Sequence, residues 1–276
     1  MKTKILILLL LAVAKAGYTQ QTLRPVSLFN PVPKPAMRQM ETDRPDITES
    51  AITLDAGHFQ LETNLAAFKR ERNDDLLKST WLINDMILKL GLGASTDIQL
   101  DFETYVKETT EERLSHTKER EAGNGNLTLR IKQNILGNNR GNFAVAVLPY
   151  VRFPIAGYGE KHPYEGGLIV PMQLKVGHDW KIGAQVEVDR LEDMEGHGSH
   201  TEFLQSLTLS HPLLKKLDGI AETHYTYDFK QHHFSNFLNA ALQLEVYKDV
   251  KIDGGLNYGL QKDAEKRYFL GLSLRI

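Results

Sequence analysis

The run Leu168-Ile169-Val170-Pro171-Met172-Gln173-Leu174-Lys175-Val176 sets an apolar residue at every second position, with Pro171, Gln173 and Lys175 between them. In an extended chain alternate side chains point to opposite faces, so this stretch reads as a strand that is wet on one face. The next segment repeats the pattern, with Ile182, Ala184, Val186 and Val188 on one face and Gln185, Glu187 and Asp189 on the other. Further along, Val250, Ile252, Leu256, Tyr258 and Leu260 oppose Lys251, Asp253, Asn257 and Gln261. The chain ends with Tyr268, Leu270, Leu272, Leu274 and Ile276 set against Phe269, Gly271, Ser273 and Arg275.

Extending this reading in both directions predicts twelve such segments, at 57–69, 80–91, 96–107, 125–135, 142–153, 167–177, 180–190, 201–211, 216–229, 234–247, 249–260 and 266–276. Many reach ten residues, whereas soluble strands usually run to ~5–6 and tilted membrane-crossing strands need ~9–11. The connectors alternate between long charged stretches, such as Glu108 to Asn124, and short turns such as Gly91-Leu92-Gly93 and Gly137-Asn138-Asn139-Arg140-Gly141. That alternation matches the long external loops and short periplasmic turns of outer-membrane barrels, although the connector at 230–233 is short where a long one is expected. An even number of strands returns both termini to the periplasmic side. Hydrocarbon tolerates no open sheet edge, so the sheet must close. The expected fold is all-β, an antiparallel transmembrane β-barrel of about 12 strands.

One face of these segments collects Glu62, Asp85, Lys89, Asp101, Glu103, Arg130, Lys132, Arg152, Lys175, Glu187, Asp189, Glu222, Asp228, Glu245, Lys251, Asp253 and Arg275, together with His224. The other face is mostly Leu, Val, Ile, Phe and Tyr. No amphipathic helix is available to cover that apolar face. Phe143, Phe153, Phe203, Phe229, Tyr258 and Tyr268 lie near strand ends, where an interfacial girdle would sit. The charged face is therefore read as the lumen. With ten acids and seven cations it would mildly favour cations. The same charges could instead pair with one another and with water to fill a narrow interior, and the sequence leaves both readings open.

Composition narrows the class further. The chain has 276 residues, 41% of them apolar and 25% charged, with a formal charge of -2 and no cysteine. It is long enough to bury a sizeable core and too apolar to be disordered. The missing thiols exclude disulfide scaffolds, Cys-based metal sites and a thiol nucleophile, and the near-neutral charge argues against a nucleic-acid partner. Lys2 and Lys4 precede the apolar run Ile5 to Ala14 and the small residues at 12–16, so 1–20 reads as a secretory signal. Its removal takes three lysines and no acid, leaving a charge near -5. Residues 21–56 form a separate proline-rich strap or plug segment before the barrel at 57–276. Pro25, Pro31, Pro33, Pro35 and Pro45 make it extended, because proline removes donors and fixes φ.

That segment ends in Thr42-Asp43-Arg44-Pro45-Asp46-Ile47-Thr48-Glu49-Ser50, followed by Gly57-His58-Phe59-Gln60-Leu61-Glu62. The combination resembles the N-terminal signature of an outer-membrane family named for the meta-pathway of phenol degradation, whose members are often called transporters. Arg267 to Ile276 is similar to the family's final strand, which doubles as the barrel-assembly signal, although Ile276 stands where an aromatic residue is usual. The resemblance implies a Gram-negative, Bacteroidetes-like outer membrane and three partners: its lipid, the barrel-assembly machinery through the last strand, and a small solute that could be aromatic. Asp43, Arg44, Asp46 and Glu49 could pair with lumen charges and seat the segment as a plug. Alternatively the cluster is a local turn, with Pro45 at its second position and Asp46 bonding the following backbone.

Catalytic and metal chemistry find little support. His197-Gly198-Ser199-His200 and His232-His233 supply imidazoles, but tetrahedral zinc wants about four ligands. Ser199 beside His200 lacks an orienting third group and an oxyanion hole. No cofactor motif is present. The expected function is passive or facilitated passage of a small solute. A closed structural or adhesion barrel acting through its external loops is the alternative, and an outer-membrane hydrolase is the more distant one.

Overall fold

The fold is that of a computed structural model that describes residues 26–73, 75–158, 163–193 and 198–276; the secretory signal expected over 1–20, and His197, lie outside the described residues. The strand segments are β1 (Phe59–Arg72), β2 (Leu76–Gly91), β3 (Thr96–Glu112), β4 (Lys118–Gly123), β5 (Leu127–Leu136), β6 (Phe143–Phe153), β7 (Glu165–Val176), β8 (Trp180–Glu192), β9 (Ser199–Leu214), β10 (Leu217–Asp228), β11 (His233–Tyr247), β12 (Val250–Gly259) and β13 (Lys266–Arg275). They make a closed, antiparallel barrel of 12 strands. β4 and β5 count as one of them, because they lie end to end along β3: Glu111 pairs with Lys118 at the outer end, and Ile98 with Ile131 below. The ring closes where β1 meets β13, from Gln60 opposite Arg275 to Arg70 opposite Lys266. Closure pairs the backbone of both terminal strands, as the absence of water in a bilayer core demands.

The faces are inverted relative to a soluble barrel. Leu207 and Leu238 point outward at 51% and 52% exposure, while Glu62 and Lys132 point inward at 0% and 1%. Burying unpaired charges in this way would cost several kcal/mol each, so the lumen must supply partners, and it does. Outward apolar exposure on this scale has one physical reading, a lipid solvent, and the barrel resides in the outer membrane.

Two connectors differ from expectation. The stretch 70–79 is not a long loop: β1 runs on to Arg72 and β2 begins at Leu76, and Asn73 Oδ1 accepts the amides of Asp75 and Leu76 at 3.0 and 2.5 Å. Much of 108–124 is strand as well, since β3 and β4 continue as a hairpin around 113–117. The extensions carry charges on successive residues, at Lys69-Arg70-Glu71-Arg72 and Lys118-Glu119-Arg120-Glu121, as strand ends beyond an apolar band do. With water on both faces they need no apolar period, so the sequence pattern that reveals a strand is missing there.

A second departure lies within the wall. Against β13 the register of β1 slips between Asn64 and Ala66, and Asn84 in β2 adopts φ 55°. Such a bulge flips which side chains face inward. Below it β1 buries Glu62 and Asn64; above it Ala67 joins Leu82 and Val106 in a small apolar cluster with Tyr158 and Phe269 against it.

Candidate functional site: the lumen and the segment inside it

Residues 26–58 form no strand of the barrel. Ser27 bridges to Gly93 at one rim, a single 3₁₀ turn spans Lys34–Ala36, and the chain then runs up into the lumen. Proline supplies the extended backbone, with Pro33 at φ -59° and ψ 138°. An extended chain without a sheet partner leaves its amides open, and lumen side chains take them. Glu62 accepts the amides of Asp43 (3.0 Å) and Arg44 (3.0 Å). Glu222 accepts those of Ile47 (3.0 Å) and Thr48 (2.8 Å), as well as the Thr48 hydroxyl at 2.6 Å. Gln185 accepts the Glu49 amide at 2.8 Å, Asn138 that of Thr53 at 3.0 Å, and Asp97 that of Leu54 at 2.8 Å. The wall thus acts as the segment's missing strand partner.

Charges lock it. Asp43 lies between Lys132 (2.6 Å) and Lys89, and Lys89 also meets Glu62. Arg130 joins Glu49 at 2.6 Å to Asp101 at 2.7 Å. Arg44 holds Asp253 through two nitrogens, at 2.6 and 3.3 Å, and lies so close over Gly271 that a Cβ there would fall 2.1 Å from its Nη2. At the seam Arg275 donates to the Arg38 carbonyl (2.8 Å) and meets Asp55 (3.4 Å) and Asp249, while His58 links the carbonyls of Val32 (2.7 Å) and Ile276 (3.1 Å). Bonds within the segment exist too, though they are not the one expected of Asp46: Thr42 donates to the Arg44 carbonyl at 2.8 Å, and Asp43 accepts the Ser50 amide at 2.8 Å while it faces two wall lysines. Asp46 accepts the Thr208 hydroxyl at 3.0 Å, Ser50 reaches Gln173 at 3.4 Å, and the Arg44–Pro45 peptide is cis.

The remaining sequence-predicted lumen residues sit apart from the segment or at its margin. Asp85 accepts from Asn64 (2.8 Å), Glu103 from Arg152 (3.1 Å), Glu187 from Gln185 (2.8 Å) and Asp189 from the Tyr150 hydroxyl (2.6 Å). Asp228 accepts the Lys230 amide at 2.7 Å near the outer rim, and His224 stacks on Phe237. Lys175 lies 3.9 Å from Glu41, Lys251 donates to Gln243 at 2.9 Å, and Glu245 stands near the periplasmic end beside the turn at 215–216. Sequence reasoning passed over Arg38, Glu41, Asp55 and Asp97. Asp97 was accessible, since Asp97, Gln99, Asp101 and Glu103 continue one period. The other three belong to an aperiodic segment and carried no signal.

Ser199 and His200 are successive strand residues, so their side chains leave opposite faces. His200 instead lies 3.2 Å from Asp193 and 3.6 Å from Asp228. The Lys230 ammonium, 2.8 Å away, holds the Asp193 carboxyl below the usual carboxylate range. Among the described residues no group of three His, Asp or Glu side chains is arranged to hold a metal ion.

Beside the segment the lumen is filled on one side and hollow on the other. Around Arg38, Asp55, Lys132 and Arg275 only a void of about 10 Å³ remains. Between residues 39–50 and the inner wall from β7 to β12 lies a chamber of about 480 Å³.

Residues 42–276 match the family described as "Putative MetA-pathway of phenol degradation". No curated protein sequence matches the chain. Among solved structures, the COG4313 outer membrane channel from Pseudomonas putida F1 is similar at a TM-score of 0.63 and 10% identity, covering 86% of this chain and 100% of that one. The NanC porin is similar at a TM-score of 0.52 and 10% identity, covering 78% of this chain and 100% of that one.

Proposed function

Because this chain belongs to the outer-membrane family named for the pathway of phenol degradation, we propose that it is a passive or facilitated channel for small polar solutes. In this reading the segment at 38–56 is a lumenal plug that sets the aperture. The observation that carries the proposal is the asymmetry of the lumen. The plug is held by ion pairs to Lys89 of β2, Lys132 of β5, Lys181 of β8 and Asp253 of β12, yet a chamber of about 480 Å³ stays unfilled between it and the wall from β7 to β12. A barrel filled only for stability would pack that side as well. The family's name points to aromatic solutes, whereas the charged lining favours polar ones. Asp101, Glu103, Glu187 and Asp189 give the upper lumen its cation preference.

Single-channel recording of the refolded mature protein in a planar bilayer tests the proposal. Discrete steps of small conductance with cation preference are expected, with larger steps after deletion of residues 26–50. Silence from both proteins, each shown to be inserted, would overturn the channel reading in favour of a closed structural barrel. Silence from the intact chain alone would mean that the plug must move for conduction.

A further inference from the structure

Charge on the outer surface of the barrel is sorted by strand parity and gathered on one arc. Residues paired directly across strands share a face, so the register fixes which side chains leave the wall outward. At the rim far from both termini Arg70 pairs with Lys266 of β13 and with Ser79 of β2, Ser79 with Thr109 of β3, and Thr109 with Arg120 of β4. Two positions nearer the membrane centre the row runs Tyr268, Phe68, Trp81 and Lys107. Tyr268 and Trp81 are exposed, which places both rows on the outward face. The acids Glu71, Glu108 and Glu121 alternate with these cations along the same strands and so face inward. The one acid there of outward parity, Glu111, is paired with Lys118 at 3.1 Å. Among the described residues Arg70, Lys107 and Arg120 have no carboxylate partner, and the Lys266 ammonium lies over the Tyr258 ring at 4.4 Å. From β5 to β11 the outer strand ends present a single outward cation, Arg190, and it donates to the Thr201 hydroxyl at 3.3 Å.

We propose that the outward arc from β12 to β4 is a docking site for a phosphorylated lipid of the outer leaflet, held through Arg70, Lys107, Arg120 and Lys266. Exposed rings settle at the boundary between acyl chains and headgroups, and the cations directly above them are where lipid phosphates lie. Arginine and lysine donate charge-assisted bonds to phosphate oxygens, and the guanidinium does so with two nitrogens at once. Arg70 and Arg120 stand three strands apart in one row, about 14 Å at ~4.8 Å per strand, a span that suits a headgroup carrying two phosphates. Turning the acids inward removes the groups that would repel those phosphates. A second copy of the chain fits the arc poorly, because a two-fold contact would set these cations against one another with no free acid between them. The site is independent of conduction through the lumen.

The experiment titrates the full mature chain in a neutral detergent with bisphosphorylated lipid A and counts bound lipid by native mass spectrometry. Dephosphorylated lipid A and inorganic phosphate serve as controls. Saturable binding of the bisphosphorylated lipid is expected, with little retention of the dephosphorylated form and no displacement by inorganic phosphate. Each cation removed should weaken binding about fivefold, so Arg70→Gln combined with Lys107→Gln should weaken it about 30-fold. Arg190→Gln, off the arc, should leave it unchanged. Equal retention of the phosphorylated and dephosphorylated lipids would overturn the inference, as would a double variant that binds within about threefold of the parent. Displacement by inorganic phosphate would overturn it in favour of a free-anion site. A lipid-free dimer that Arg70→Gln dissociates would overturn it in favour of a second copy on the arc. If the double variant does not refold, the comparison of the two lipid forms on the parent protein decides the matter by itself.

Discussion

Replacing Asp43 by Asn removes one charge from the plug while keeping its shape and its acceptor for the Ser50 amide. Asp43 is 5% exposed and stands between Lys132 and Lys89, at 1% and 4% exposure. After the change Lys89 retains Glu62, but Lys132 keeps only Glu49, at 3.6 Å, and Arg130 already holds Glu49 at 2.6 Å. Removing one partner of a buried ion pair costs about 3–5 kcal/mol; the remaining acids lower the loss here to about 2–3 kcal/mol. These bonds tie plug to wall rather than wall to wall, so the loss falls on plug docking and not on barrel closure. A shift of that size raises the undocked population about 30- to 150-fold. Planar-bilayer recordings read it directly, as a matching rise in the frequency of large openings. Folding is checked in parallel by the difference in gel migration between heated and unheated samples. Asp43→Asn protein that folds normally, yet opens within about threefold of the parent frequency, would refute the assignment of these ion pairs to plug docking.

Other perturbations follow from the same geometry. Gly271→Val would push the Arg44 guanidinium off Asp253, and heat-induced unfolding on gels should fall by about 5 °C, the equivalent of about 2 kcal/mol. Leu207→Lys, on the outward face near the middle of β9, should cost about 2–4 kcal/mol and lower the folded fraction in liposomes, whereas Ser206→Ala on the inward face should be far milder. Glu187→Gln combined with Asp189→Asn should reduce cation preference, seen as a smaller reversal potential across a salt gradient. The Asp193–Lys230 contact at the outer rim should be pH dependent. A carboxyl held below its ordinary value stabilises the fold above about pH 4 and loses that contribution as the pH falls through its lowered value. Hydrogen exchange at the Asp193 amide, which donates to the Gly198 carbonyl, should therefore accelerate beyond the intrinsic rate only in acid, and unchanged protection there would count against the clasp.

Much of the barrel was legible because lipid imposes one local rule on every strand. Each must show an apolar residue outward at every second position, and β7, β8 and β13 show it through their central residues, while β12 breaks it only at Gly254. The rule lapses where lipid ends, which is why the tops of β1 to β4 read as loops. It lapses again at the bulge beside Asn64, where the inward face changes parity. The lumen residues were legible for the same periodic reason, and Lys132, Glu222 and Asp253 lie on the face that the alternation assigns them.

The sequence by itself determined an all-β chain, its lipid-facing and lumen-facing sides, and the distinctness of a proline-rich N-terminal segment, since each rests on near neighbours along the chain. Only the tertiary structure decided what those charges do. Asp43 meets Lys89 and Lys132 across 46 and 89 residues, and Arg44 meets Asp253 across 209. Such pairings depend on the stagger of the strands and on closure of the ring, which set the height of every inward side chain and which no local period encodes. The chamber beside Glu41 arises in the same way, as the volume left where an extended segment lies against one side of a closed wall.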